Sequence, residues 1–201
     1  MQATTRLPAG YALRRAFTLK SSGAQILVTL AGVILLIAVF YGFSLAFNAL
    51  RPGELAQGNA FRFNSLTEVV HAVLVGIVIL FGQIFLHEAV HGAFFWIITR
   101  ARPLFAFKVI YAYAAAPGWF IPRNPFIAAG LAPLVVISLV GILLAAFVPP
   151  VWLLPIFIVV VINGAGSTGD LWVALSLLGY PVDTYCSDTG DVITAYTRQA
   201  A

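Results

Sequence analysis

His87-Glu88-Ala89-Val90-His91 is the stretch of this chain whose residue types and spacing could do chemistry. On an α-helix, residues four apart share a face, so His87 and His91 can present two imidazoles to one metal ion. Glu88 is turned by about 100° from His87, near enough to hold and deprotonate a water on that metal. Two histidines and a glutamate could instead satisfy one another inside a helix bundle. Ionisable groups in an apolar helix are costly, however, and mark function more often than packing.

A catalytic zinc takes three protein ligands and keeps one position open. No glutamate follows Glu88, and the positions three and six beyond His91 are Phe94 and Ile97. Neither a downstream Glu nor the extended Gly/His pattern can therefore complete the set. His71 lies 16 residues before His87, about 24 Å along a helix and on roughly the opposite face; it reads as a packing or gating residue. Asp183, Asp188 and Asp191 fall in a polar C-terminal stretch and read as solvated acids.

Asp170 is the only acid embedded in another apolar span. His87 is 21 residues into its span and Asp170 19 residues into its own. If both spans run inward, a rise of about 1.5 Å per residue puts the two at nearly equal depth. Asp170 is the expected third ligand. Asn163 shares its face two turns earlier and is the candidate substrate-binding residue, its amide able to bond a substrate carbonyl or a metal ligand.

These residues must be positioned by membrane helices. The chain has 201 residues, 61% hydrophobic and 9% charged, with a mean hydropathy of +0.99, whereas soluble domains carry about 25% charged residues. The expected fold is an all-α membrane protein, a single domain over 1–201 with about four transmembrane helices at 24–50, 66–98, 125–148 and 151–178 and a polar tail at 179–201. The first run is longer than the hydrophobic region of a signal peptide and reads as a retained helix. Pro and Gly at Pro52-Gly53, Pro149-Pro150 and Gly179-Tyr180-Pro181 supply the helix stops.

The net charge of +4 is distributed as a topology signal rather than a nucleic-acid footprint. Arg6, Arg14, Arg15 and Lys20 precede the first span, and Arg100, Arg102, Lys108 and Arg123 occupy the 99–124 loop, with no acid in either group. The positive-inside rule places the N-terminus, that loop and the C-terminal tail in the cytoplasm. No nucleic-acid partner is expected. Gly164 to Gly169 formally matches a dinucleotide fingerprint, but too little chain follows for a parallel sheet, so no nucleotide is expected either. Small residues that let helices approach around the metal explain the run better. Cys186, the single cysteine, cannot form an intrachain disulfide and reads as an ordinary free thiol.

Within 104–120, Phe105, Phe107, Val109, Tyr111 and Tyr113 alternate with smaller or polar residues, closer to strand than helix period. Two readings stay open. The segment is a loop on the headgroups, or an extended element beside the site, able to pair with an unwound substrate through backbone groups such as that of Val109.

With His87-Glu88-x-x-His91 on one span and Asn163…Asp170 on a later one, the chain resembles the membrane-embedded zinc metalloproteases of the site-2 protease type. It is similar in particular to small bacterial membrane proteins described as zincin peptidases. The resemblance covers roughly 66–178 and includes Arg123-Asn124-Pro125-Phe126-Ile127 and Ala132-Pro133. It implies zinc held by His87, His91 and Asp170, Glu88 as the catalytic water-activating group, and Asn163 in the family's upstream asparagine position. It further implies a membrane protein or peptide as substrate and a multi-pass location in the bacterial cell membrane, with the lipid bilayer as surroundings. Gly169 precedes Asp170 and Leu171 follows it, whereas site-2 proteases place Gly after Asp, and no PDZ domain is present. The alternative function is a non-enzymatic scaffold or metal-handling protein built on the same His-Glu-His cluster. Glu88 discriminates, because a metal store needs no base beside its ligands.

Overall fold

The computed structural model describes residues 1–18, 22–57, 64–108, 112–190 and 192–199. Lys20, Val109, Tyr111 and Asp191 lie outside the described residues. In chain order the elements are β1 (Tyr11–Phe17), α1 (Ser22–Leu50), the short α2 (Glu54–Gln57), α3 (Leu66–Thr99), β2 (Leu104–Phe107), β3 (Ala112–Ala115), β4 (Ile121–Pro122), α4 (Arg123–Phe147), α5 (Leu153–Gly166), α6 (Thr168–Leu178), β5 (Tyr185–Asp188) and β6 (Ile193–Arg198).

Three helices are long and apolar enough to cross a membrane: Gln25–Leu50, Leu66–Thr99 and Arg123–Phe147. A fourth crossing is available if Pro150–Gly166 and Thr168–Leu178, bent by 43° at their junction, count as one span. The expected continuous span over 151–178 is thus broken at Ser167, where the Ser167 and Thr168 hydroxyls donate back to the Asn163 and Ala165 carbonyls at 2.9 and 2.7 Å, a back-bonding that bends helices. The ends of α3 are fixed by local chemistry. Ser65 Oγ accepts from the Glu68 N–H at 3.2 Å, while Glu68 Oε2 accepts from Asn64 N–H at 2.7 Å, a reciprocal arrangement at the first turn. Arg100 closes the helix in the left-handed region at φ 57°.

The expectation of an all-α protein needs correction, because two small sheets are present. One has four strands in the order β1-β6-β5-β4, all antiparallel. The other is the β2–β3 pair, with Leu104 opposite Ala115 and Phe107 opposite Ala112. The 104–120 segment therefore doubles back as two short strands rather than running on as one. The C-terminal stretch is corrected too. It is not a solvated extension, since Tyr185, Cys186, Ser187 and Asp188 are all buried.

One apolar core joins this sheet to the helices through Phe17, Phe95, Ile121, Phe126, Leu177 and Cys186. A second core lies where α1, α4 and α5 meet, around Phe47, Ala145, Leu153, Phe157 and Val160. Near it, Arg51 bonds the Val148 carbonyl at 3.0 Å and pairs with Glu54, tying the turn after α1 to the end of α4. The His87-Glu88-x-x-His91 motif sits near the sheet end, in the last third of α3.

Candidate metal centre

His87 and His91 stand one turn apart on α3, their Nε2 atoms 3.2 Å from each other. Asp170, in the first turn of α6, meets both: Oδ2 is 3.3 Å from His87 Nε2 and Oδ1 is 3.5 Å from His91 Nε2. One ligand atom from each residue lies within 4.8 Å of the others. Atoms bound about 2.0–2.1 Å from a tetrahedral zinc stand roughly 3.3 Å apart. The separation of the two Nε2 atoms fits that spacing, and so does the distance from each to its nearer Asp170 oxygen. A His-His-Asp group of this shape can hold a metal ion.

The outer ring nitrogens explain why the inner ones are available. Asn163 Nδ2 donates to the Pro133 carbonyl at 3.0 Å, which turns Oδ1 toward His87. Oδ1 lies 2.9 Å from His87 Nδ1 and also accepts from Gln83 Nε2 at 3.3 Å. A carbonyl oxygen can only accept, so His87 Nδ1 must carry the proton and Nε2 keeps its lone pair. His91 repeats the pattern, its Nδ1 lying 2.9 Å from the Ala129 carbonyl. That carbonyl is free for a reason written in the sequence. Pro133 sits inside α4 and has no N–H to give the residue four before it. With both Nδ1 positions so engaged, the two Nε2 atoms face each other and the Asp170 carboxylate, an arrangement that a shared cation would satisfy.

Glu88 lines the same cleft, of about 230 Å³. Its Oε2 accepts from the Ala114 N–H of β3 at 2.7 Å, so the β2–β3 pair holds the carboxylate beside the histidines. Gly92 permits that packing: a Cβ there would stand 2.3 Å from Phe105 Cζ on β2. Gly164, from the small-residue run, packs against Val39 of α1.

His87, Glu88, His91 and Asp170 thus come together, with Asn163 fully buried behind His87 and its amide engaged there. His71 stays away, exposed on the first part of α3. Cys186 lies buried in β5, where burial pushes its thiol up to about 12, and it is not in the triad.

Three contributors escape a reading of the sequence alone. Gln83 is a single amide in an apolar run whose partner is 80 residues away. The Ala129 carbonyl is a backbone atom, signalled only by the in-helix proline four residues on. Asp188 was expected in solvent, yet it is 8% exposed and lines the cleft.

Comparison with curated proteins and with solved structures gives no match. The sequence profile of the family described as "putative zincin peptidase" matches residues 80–185, just over half of the chain. The matched stretch carries Gln83, the His-Glu-His motif, Pro133, Asn163 and Asp170, and by that match the chain belongs to this zincin peptidase family.

Proposed function

We propose that the protein is a membrane-embedded zinc metallopeptidase of the site-2 protease type, hydrolysing peptide bonds of membrane-associated proteins. The observation that carries this reading is the convergence of two Nε2 atoms and the Asp170 carboxylate beside a second, separately anchored carboxylate, Glu88. His87, His91 and Asp170 would hold the ion. Zinc in such a site acidifies water and polarises a carbonyl. Glu88 takes up the proton of the attacking water and returns it to the leaving amine. The Ala114 N–H binds one of its oxygens and leaves Oε1 to carry that proton. Asn163 and the Ala129 carbonyl hold the two imidazoles in the tautomer that binds metal.

The apolar helices support a site inside the bilayer, and the cleft supplies the route for water that such a site requires. Glu88→Gln is the decisive variant. It should keep zinc at the wild-type stoichiometry while turnover of a model membrane substrate falls by about 10²–10⁴-fold. His91→Ala should lose the zinc itself. Wild-type turnover by Glu88→Gln would remove the hydrolytic reading.

A further inference from the structure

Asp188 lies on β5, beyond the family-matched residues 80–185, and its side chain lines the cleft that holds the His-His-Asp group. It is 8% exposed. Its Oδ1 accepts from the Gly190 N–H at 2.7 Å, a contact within its own turn. Among the described residues, no lysine or arginine forms an ion pair with it.

A carboxylate buried without a cation is expensive, and proteins retain one where something else supplies the charge. A zinc ion in the site does not supply it. Its two positive charges are matched by Asp170 and Glu88, so Asp188 remains uncompensated in the same cleft. Burial pushes its carboxyl up to about 6, outweighing the Gly190 hydrogen bond and the influence of His91. The cleft around it is partly apolar, with Ile127 and Ile193 among its lining. An aliphatic stem ending in a positive charge matches those walls and that carboxylate together.

We propose that Asp188 is the specificity-determining residue of the cleft and binds a cationic group of the substrate, an ammonium or guanidinium, close to the scissile bond. This rests on the peptidase reading above. The cation comes from a lysine or arginine side chain or from a free α-amino terminus, and the test separates the two.

The experiment uses full-length, zinc-loaded wild-type protein in detergent micelles and fluorescent apolar decapeptides, with binding read on mixing, before turnover. Each carries one Lys, norleucine or Glu at a central position, with its N-terminus free or acetylated. For an acetylated set, Lys should bind at least about tenfold more tightly than norleucine, with Glu weakest, as expected for a desolvated charge pair. Adding Asp188→Asn should abolish the difference with zinc content unchanged, and Asp188→Glu should retain it. If the α-amino group is the ligand, the tenfold gain appears instead between free and acetylated norleucine peptides, again dependent on Asp188. As a check free of any Asp188 substitution, n-butylammonium should displace bound peptide where n-butanol at the same concentration does not. Equal binding across charge and acetylation, or a preference that survives Asp188→Asn, overturns the proposal. Loss of zinc in Asp188→Asn overturns it as well, by making Asp188 part of the metal site. Turnover of the same peptides by wild-type protein is scored separately. If none is cleaved the hydrolytic reading fails, while the binding comparisons still decide the role of Asp188.

Discussion

At the scale of single residues, the histidines are set by what lies behind them. Asn163 has both ends of its amide committed, Nδ2 to the Pro133 carbonyl and Oδ1 to His87 and Gln83. Its orientation therefore fixes the His87 tautomer. Replacing Asn163 with Leu fills the same space but removes the acceptor, leaving His87 free to protonate at Nε2 and turn away from the metal. Partners of this kind are worth about 10–100-fold in metal affinity. Asn163→Leu should weaken zinc binding by that factor in a chelator competition, and Gln83→Leu by less, because Gln83 reaches His87 only through Asn163. Unchanged zinc affinity in Asn163→Leu would reduce the amide to helix packing. Much of the site was legible from the sequence: the paired histidines by their spacing, and Asp170 as the lone acid in a second apolar run. Gln83 was not legible, because an isolated amide has no periodicity to betray it.

At the scale of elements, proline placement does what a side chain does elsewhere. An internal proline costs a helix roughly 3 kcal/mol, and α4 carries one at Pro133. In return the Ala129 carbonyl is released to His91 Nδ1. Pro133→Ala should restore a backbone N–H that competes for that carbonyl. The expected result is unchanged or higher thermal stability combined with several-fold weaker zinc binding, read by thermal denaturation and chelator competition on the same preparation. A variant that gains stability and keeps wild-type affinity would show that His91 does not depend on the released carbonyl.

Elements were legible where they are long and apolar, as with α1, α3 and α4. The strands were hidden for physical reasons. β4 is two residues long, and β1 finds its partner β6 only at the far end of the chain. Thr184, Ser187 and Asp188 are polar yet buried in or next to β5, so the composition of that stretch pointed to solvent. The break at Ser167 likewise escaped an apolar count, since hydropathy does not register a change of helix direction.

At the scale of the whole molecule, the four-stranded sheet constrains the topology. β1 precedes the first long helix and β6 follows the last, and they pair over Tyr11–Arg198 to Phe17–Ile193. Strands that share hydrogen bonds must lie on one side of a membrane, so an even number of crossings must separate them. Three helices cross on length and composition, and the pair α5–α6 is bent by 43°. If that pair were a re-entrant loop, the count would be three and β6 would emerge opposite β1. The pairing therefore predicts that α5 and α6 act together as the fourth crossing. β4, directly before α4, joins the same sheet through β5, which places the basic 99–124 segment on that side too. From the excess of arginine and lysine there, we predict that this is the cytoplasmic side. Reporters fused ahead of β1 and after β6 should both read cytoplasmic, and one inserted at Pro52-Gly53 should read the opposite face. Opposite readings from the two terminal fusions would mean that the bent pair turns back within the bilayer and that β1 and β6 cannot pair in the membrane.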